Sequence, residues 1–583
     1  MFKLKYFRKL NKLNYINKNN DLKINNFRYA IFGLPVSHSL SPLLMSYLCL
    51  SLNKFFKLNL SFDCIKINDI EIFLKEEYLN DLEIDFFNFT TPFKISKEIL
   101  LNNNIKNNFC NSEDSFLLFD NFNCFSKLNN KFINTDYLGI YFVLKEFFFN
   151  YFKKFNFGLC YYKNLKIDKF IDELFIIGKG NTAFSAIKAL KIFSINSICL
   201  IYKSFDKIRF NNFNRLLKNK IKFLDVLELK YYINNKIKEK ISILKNKKIK
   251  NYRKFIIIIN TSESNIIEEY KIKEDIIFLL KYYDLILVDL SYKKFPLIEV
   301  YEELRKLKFK NIFYINPIDV FYYQGIFSFI FFINSIPEIK NQINKKFLSY
   351  LINKKKRFKN FFKKKFYNYF KSSFIFIGFS YSGKSSVLNL FINNYKNLSF
   401  DNHNLNEINN QSKDISSKKK LMNFIDIDNY IEKECGMKIY KIFELKGENY
   451  FRKLEYLCLK RIYSKNLLIS AGGGIFENKN SLKFIKNNFF RFYFYINKFD
   501  KIFERYKNNI SKDGNQRPLF INLSRETLEN LFLKRKNIYL KNADLLINAH
   551  KDLNKIYKEI EEEINNLVYF LKKIKLYKHF QEH

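Results

Sequence analysis

A chain of 583 residues is longer than one hydrophobic core supports, so about two to four domains are expected, and with 48% hydrophobic and 19% aromatic residues it can build packed interiors rather than stay disordered. The formal charge of +44 points at nucleic acid or an anionic membrane. The excess, however, is mostly lysine strewn along the whole length beside abundant Asn, Ile and Phe and no Trp, the residue set of an A/T-biased genome, and no zinc-finger or RNA-recognition spacing gathers it into a binding surface.

Residues 1–26, rich in Lys and Asn, lack an apolar run of signal-peptide length and the Arg and Ser of a transit peptide, and read as an N-terminal extension. From Tyr29 to Pro42 (Y-A-I-F-G-L-P-V-S-H-S-L-S-P) a β-like run ends at Gly33 and leads to Ser39 and Ser41, two apart before a proline. Hydroxyls so spaced suit a carboxylate and equally suit a serine-rich turn. An apolar strand, Ile84 to Phe87, then leads into N-F-T-T-P-F-K, where Pro92 ends the strand and Lys94 stands at its tip. Partial burial would lower the pKa of such a lysine and make it a proton donor; an exposed lysine fits the same pattern. In I-N-T-D-Y-L-G-I, Asn134, Thr135 and Asp136 open a helix, with Asp136 either its cap or a functional carboxylate.

Next, Leu174 to Gly178 is an apolar strand followed by K-G-N-T-A, giving G-x-G-x-x-A at Gly178, Gly180 and Ala183 ahead of a helix from Phe184 to Ile192. The first glycine permits the turn, the second lets backbone N–H groups approach a pyrophosphate, and the small third residue lets helix and strand pack closely. The following strand, Ile198 to Ile201, ends in Tyr202-Lys203-Ser204, with no carboxylate for a ribose hydroxyl. Val320 to Ile336 is apolar but short and carries Gln324 and Asn334, so a buried helix is expected rather than a membrane span. The Lys-heavy stretch 340–371 reads as a linker or a solvated helix face.

A second strand, Phe374 to Gly378, runs into G-F-S-Y-S-G-K-S-S and a helix from Val387 to Phe391, which fits G-x-x-x-x-G-K-[ST] at Gly378, Gly383, Lys384 and Ser385. Backbone amides there cradle phosphates, Lys384 bridges them, and the Ser385 hydroxyl can ligate Mg²⁺. The polar segment 395–421 reads as a flexible insertion. Asp426 and Asp428 in F-I-D-I-D fall on one face of a strand end, suited to a metal and an acceptor hydroxyl or to a solvated turn. Arg452 and Glu455 stand at i, i+3, and S-A-G-G-G-I (Ser470 to Ile475) lets backbone approach a ligand. Q-R-P-L follows at Gln516 and R-K-N-I-Y at Arg535. The eight cysteines contain no C-x-x-C pair, as expected of reduced thiols in the cytoplasm.

In their order, the three N-terminal pieces resemble the shikimate dehydrogenase family, over residues 27 to about 335. The resemblance implies that Ser39 and Ser41 hold a substrate carboxylate and that Lys94 and Asp136 form the catalytic pair, with Asn88 and Thr90 nearby. Asn123, in F-N-C, is the counterpart of a further family asparagine, and Gln324, in Y-Y-Q-G-I-F-S-F, lies over the substrate. Gly178, Gly180 and Ala183 would hold NADP(H), with Lys203 on the 2′-phosphate in place of the family's arginine. I-I-I-N-T-S (Ile257 to Ser262) and D-L-S-Y-K-K-F-P (Asp289 to Pro296) resemble its strand-end signatures.

The C-terminal series resembles shikimate kinase, motif for motif, from 372 to about 560. That resemblance implies ATP on Gly378, Gly383, Lys384, Ser385 and Ser386, with Arg505 by the adenine and Arg517 as a lid. Ser385 and Asp426 would hold Mg²⁺, and Asp428 would be the base for the attacking hydroxyl. Arg452 and Arg535 would clamp the shikimate carboxylate, with the amides of Gly473 and Gly474 lining the pocket.

The expected fold is therefore α/β in three parts. A shikimate dehydrogenase-like substrate domain (27–136, completed by 304–339) and a Rossmann NADP domain (137–303) precede the linker, and a P-loop kinase α/β domain (372–583) follows it. The expected function is a bifunctional enzyme that reduces 3-dehydroshikimate and phosphorylates the resulting shikimate. Its expected partners are small molecules, not nucleic acid or membrane. The alternatives are a kinase with a decayed dehydrogenase half, motivated by the eroded G-K-G-N-T-A turn, and a basic nucleic-acid-binding P-loop protein. Oligomeric state is not legible in the sequence.

Overall fold

The computed structural model describes residues 25–58, 60–90, 93, 122–154, 170–178, 180–193, 198–202, 221–246, 254–262, 273–290, 296–337, 339, 345–369, 371–400, 422–464, 466–513, 520 and 523–577. These fall into two compact units. The described residues of 44–59 and 94–358 form one, and those of 24–43, 60–93 and 359–583 form the other.

Strands β1 (Asn25–Phe32), β2 (Leu60–Ile67) and β3 (Phe86–Phe89) belong to the second unit and pair in parallel, with β1 in the middle. Tyr29 to Phe32 and Phe86 to Phe89 are buried without alternation, the pattern of a parallel strand covered on both faces. Phenylalanine does the filling. Phe32, Phe73, Phe87 and Phe89 pack with ring centroids 4.8 to 6.4 Å apart.

The first unit holds an antiparallel hairpin of β4 (Cys124–Ser126) and β5 (Lys131–Ile133), then the helix Asp136–Lys154. A six-stranded sheet follows, built from β6 (Ile171–Ile177), β7 (Ile198–Ile201), β8 (Ile221–Leu224), β9 (Phe255–Asn260), β10 (Asp284–Asp289) and β11 (Ile312–Ile315). All its pairs are parallel, in the order β11-β10-β9-β6-β7-β8. Counted from β6 this is 3-2-1-4-5-6, the doubly wound dinucleotide order, with its reversal between β6 and β9. The helix Pro317–Ile333 is capped by Asn316, which accepts from Ile318 N at 2.8 Å, and is buried along nearly its whole length, as its apolar sequence demands. It lies so close to Asp136–Lys154 that a Cβ on Gly139 would stand 2.8 Å from the Val320 carbonyl oxygen. Among the described residues no helix is long and apolar enough to cross a membrane.

The Lys-rich stretch is folded. Helices Lys345–Asn353 and Lys355–Tyr369 occupy most of it. Phe347 and Leu351, four apart, are fully buried, as is Phe358. Tyr322 donates to the Leu351 carbonyl at 2.6 Å. Lys346 and Lys356 are exposed around an apolar seam that the number of lysines conceals in the sequence.

The rest of the second unit contributes β12 (Phe374–Ile377), β13 (Asn423–Asp426), β14 (Leu467–Ser470), β15 (Phe490–Tyr495) and β16 (Leu545–Asn548). Its strands run β13-β14-β12-β15-β16-β2-β1-β3. Within β12 to β16 the order is 2-3-1-4-5, so the strand that precedes the phosphate loop is central. β16 then pairs in parallel with β2, Leu545 opposite Lys66 and Leu546 opposite Ile67.

Asp289, at the end of β10, is fully buried and accepts from Asn260 Nδ2 (2.9 Å), Leu297 N (3.1 Å) and the Tyr314 hydroxyl (3.1 Å). Burial outweighs these donors and pushes its carboxyl from the usual 3.8 up to about 7. The folded chain therefore keeps a proton that the unfolded chain releases. That contribution to stability is complete below 3.8 and is lost as pH rises through 7. Asp289→Asn is expected to flatten the fall in unfolding free energy between about pH 4 and pH 7, read by urea denaturation of parent and variant.

Candidate active sites at the carboxyl ends of the parallel strands

The loop 33–40 leaves the carboxyl end of β1, and Thr90 follows the carboxyl end of β3, donating its N–H to the Phe32 carbonyl at 2.8 Å. Ser39 and Ser41 are buried, and Ser39 Oγ accepts from Ser41 N at 3.4 Å where the helix Ser41–Phe56 begins. Asn88 is buried within β3, and Lys94 lies outside the described residues.

In the first unit, Asn123, Thr135, Asp136 and Gln324 meet. Asn123 Nδ2 donates to Asp136 Oδ1 (2.8 Å) and to Thr135 Oγ1 (3.0 Å), while its Oδ1 accepts from Thr135 N (2.7 Å). Gln324 Nε2 donates to Thr135 Oγ1 at 3.4 Å. Asn134 Oδ1 accepts from Asp136 N at 3.0 Å, where the helix Asp136–Lys154 begins. Asn134 also donates to Ser185 Oγ (3.3 Å) in the helix Asn181–Ile192, tying this cluster to the element after the glycine turn.

At that turn Gly178 has φ +110°, and a Cβ there would stand 2.5 Å from Thr261 Oγ1, beyond the end of β9. Gly180 faces open space and Ala183 is fully buried, as the motif requires. Thr261 Oγ1 donates to the Ile177 carbonyl at 2.7 Å, which keeps the mouth between β6 and β9 narrow. Lys203 lies outside the described residues.

In the second unit the phosphate loop runs from the buried strand β12 through Gly378 (φ +148°), Tyr381 (φ +63°) and Gly383 (φ +98°) into the helix Lys384–Phe400. Lys384 is buried and its Nζ donates to the carbonyls of Gly378 (2.8 Å) and Phe379 (2.9 Å). Ser386, one residue beyond Ser385, is exposed in the first turn. Ser385 Oγ donates to Asp426 Oδ2 at 2.7 Å and lies 3.2 Å from Ser470 Oγ, so the ends of β12, β13 and β14 converge. Asp426 and Asp428 do not share a strand face. β13 ends at Asp426, which caps the helix Ile427–Cys435 by accepting from Asn429 N, and Asp428 sits in that helix's first turn. Arg505 donates to the Tyr381 and Ala549 carbonyls at 3.3 and 2.6 Å.

Beside this loop lies a cluster of charges around the buried Arg452, Glu455 and Arg535. Arg452 donates to Glu455 (2.7 Å) and Glu448 (2.8 Å), and its Nε is 3.4 Å from Glu477. Arg535 reaches the same Glu477 through Nε (2.8 Å) and Nη2 (2.6 Å). Among the described residues its Nη1 is buried with no hydrogen-bond partner. Burial raises the Glu477 carboxyl, but Arg535 and Arg452 outweigh it and hold it below its ordinary value. Burial alone would lower Arg452, and Glu455 and Glu477 reverse that, so its charge is held. Gly472, Gly473 and Gly474 make the approach possible. A Cβ on Gly472 would stand 2.7 Å from Glu455 and 2.8 Å from Asp428, one on Gly473 2.9 Å from Ser380 Oγ, and one on Gly474 would run into the Arg452 guanidinium.

The family model for shikimate kinase matches residues 414–565. A shikimate kinase from Macrococcus caseolyticus is 34% identical over 148 residues, 25% of this chain and 84% of the relative. The chain belongs to the shikimate kinase family. A solved shikimate kinase from Aquifex aeolicus, 31% identical, aligns over 33% of this chain and 96% of its own, with a TM-score of 0.24. A solved shikimate dehydrogenase from Thermotoga maritima, 20% identical, aligns over 56% of this chain and 99% of its own, with a TM-score of 0.34.

Within the kinase-family segment, sequence reasoning named Arg452, Arg535, Asp428 and Gly472 to Gly474 but missed Glu477, the carboxylate on which both arginines converge. No spacing could reveal it, since its partners lie in two helices, Ile439–Ile462 and Arg525–Asn542. Arg517 lies outside the described residues. For the glycine turn of the first unit, Gly178→Ala is expected to lower the unfolding free energy by at least about 1 kcal/mol, because a side chain there is strained by φ and by Thr261 together. Urea unfolding of the full chain measures it.

Proposed function

We propose that the chain carries out two consecutive reactions, reducing 3-dehydroshikimate to shikimate with NADPH and then phosphorylating shikimate from ATP to shikimate 3-phosphate. The observation that carries the second step is the buried Arg535 Nη1, which has no hydrogen-bond partner among the described residues and lies in the cluster that adjoins the phosphate loop. A buried guanidinium N–H of this kind is a ready site for a carboxylate, and Arg452 shares the same anchor in Glu477. Family membership supports the reading.

Bound ATP supplies the phosphoryl group, and Mg²⁺ supplies positive charge beside it. Ser385 and Asp426, in contact with each other, fit the metal, and the loop amides with Lys384 and Arg505 fit the nucleotide. Arg452 and Arg535 orient the shikimate carboxylate, with the amides of Gly473 and Gly474 beside it, and Asp428 takes the proton of the attacking hydroxyl. Arg517 closes over the phosphates.

For the reduction, NADPH supplies the hydride. Gly178, Gly180 and Ala183 fit its pyrophosphate: positive φ at the first, open space at the second, a buried small residue at the third. The absence of a carboxylate in Tyr202-Lys203-Ser204 favours a 2′-phosphate on Lys203. Lys94 delivers a proton to the developing alkoxide and Asp136 orients it, with Asn123 in turn fixing Asp136 at 2.8 Å. Ser39 and Ser41 hold the substrate carboxylate, and Asn88, Thr90 and Gln324 hold the ring hydroxyls. The shared intermediate and the cofactors suit the cytoplasm, and fusion raises the intermediate's local concentration.

A coupled assay with 3-dehydroshikimate, NADPH, ATP and Mg²⁺ is expected to yield shikimate 3-phosphate. Lys94→Ala should abolish NADPH oxidation while leaving ADP release from added shikimate, and Lys384→Ala should abolish ADP release while leaving NADPH oxidation; NADPH oxidation missing from the parent chain would leave a kinase alone. Gly474→Ala, by displacing Arg452, should raise the KM for shikimate at least about tenfold in the kinase assay while leaving the KM for ATP within about twofold.

A further inference from the structure

The helix Leu553–Tyr577 carries a carboxylate that the phosphoryl-transfer site does not use. Glu563 is fully buried, and its side-chain hydrogen bonds go to the loop after β1. Oε1 accepts from Val36 N (2.9 Å), and Oε2 accepts from Val36 N (3.0 Å) and Ser37 N (2.8 Å). Ser37 Oγ donates to the Glu563 backbone carbonyl at 3.1 Å. From the other side Lys66, buried in β2, donates to the Ser37 carbonyl at 2.5 Å. The held dipeptide starts the turn that sets Ser39, whose N–H donates to the Val36 carbonyl at 2.9 Å. Ser39 Oγ in turn accepts from Ser41 N.

We propose that Glu563, supplied by the kinase-family segment, is a positioning residue for the other reaction: it fixes the loop that presents Ser39 and Ser41 to the substrate carboxylate. The inference rests on the dehydrogenase reading given above. Burial pushes Glu563 up to about 7 and Lys66 down to about 8, so neither group is comfortable where it lies. A buried carboxylate and ammonium do little for stability compared with apolar side chains of the same volume. What they supply here is geometry, since one carboxylate spans two successive N–H groups and no apolar residue can. The strand pairing of β16 with β2 lies next to this tether and brings Lys66 into the same contact region. Asn548 Nδ2, at the end of β16, donates to Asp69 Oδ2 at 2.6 Å and reinforces it.

The test compares the full chain with its Glu563→Gln and Glu563→Asp variants. Glutamine keeps the size but turns one acceptor into a donor facing Val36 or Ser37 N–H. Glu563→Gln is expected to raise the KM for 3-dehydroshikimate about tenfold, with kcat, the KM for NADPH and both kinase constants within about twofold of the parent. Glu563→Asp, which keeps the charge but shortens its reach, should fall between. An unchanged KM for 3-dehydroshikimate in the glutamine variant overturns the inference. So does an equal loss of both activities, since that marks a residue needed only for folding; if the glutamine variant does not fold, the aspartate variant carries the comparison, judged by its kinase activity. A parent chain that turns over shikimate but never oxidises NADPH removes the dehydrogenase reading itself, and this inference with it.

Discussion

Burying a guanidinium requires that its charge and its fixed fork of N–H donors be met, and in this chain Arg452 and Arg535 are met by one carboxylate, Glu477. The arrangement turns two long, flexible side chains from different helices into a rigid pair. Its near neutrality also matters in a chain of formal charge +44, where an uncompensated pair of arginines would face repulsion from every side. Glu448 and Glu455 complete the shell around Arg452, and Asp428 stands close to Glu455 across Gly472. Buried ion pairs of this kind are poor sources of stability. Their value lies in holding orientation, and among the described residues Arg535 Nη1 is buried without a hydrogen-bond partner.

Close approach makes that cluster possible, and glycine makes close approach possible. At Gly472 to Gly474 a single added carbon would collide with Glu455, Asp428, Ser380 or Arg452. Gly178 does the same for the turn after β6, where Thr261 lies against it. In both units these glycines follow the carboxyl ends of parallel strands, where loops diverge on either side of a strand-order reversal and leave a crevice. The 3-2-1-4-5-6 order of β6 to β11 and the 2-3-1-4-5 order of β12 to β16 both create such a crevice beside a glycine turn.

Strand-turn-helix segments were legible because their signals are local. β6 with Gly178, β12 with Gly378 and the helix after Asn134 each follow from a few consecutive residues whose backbone needs and apolar runs agree. One local reading went astray. Asp426 and Asp428 looked like one strand face, but the first caps a helix that the second joins, because an aspartate can end a strand and start a helix at once. The Lys-rich stretch, which the sequence left open between a linker and a solvated helix face, holds two helices, and lysine outnumbers the residues at four-residue spacing that form its buried seam.

From the amino-acid order alone came the two strand–glycine turn–helix units and the α/β class, since each depends on neighbours within one or two turns of chain. Long-range partners came only with tertiary structure. Asn123 beside Asp136, Glu477 between Arg452 and Arg535, and Glu563 beneath Val36 and Ser37 join residues from 13 to 527 positions apart. No periodicity encodes such pairs, because what brings them together is how strands and helices pack, and a carboxylate in any of these places reads in sequence like any other solvated acid.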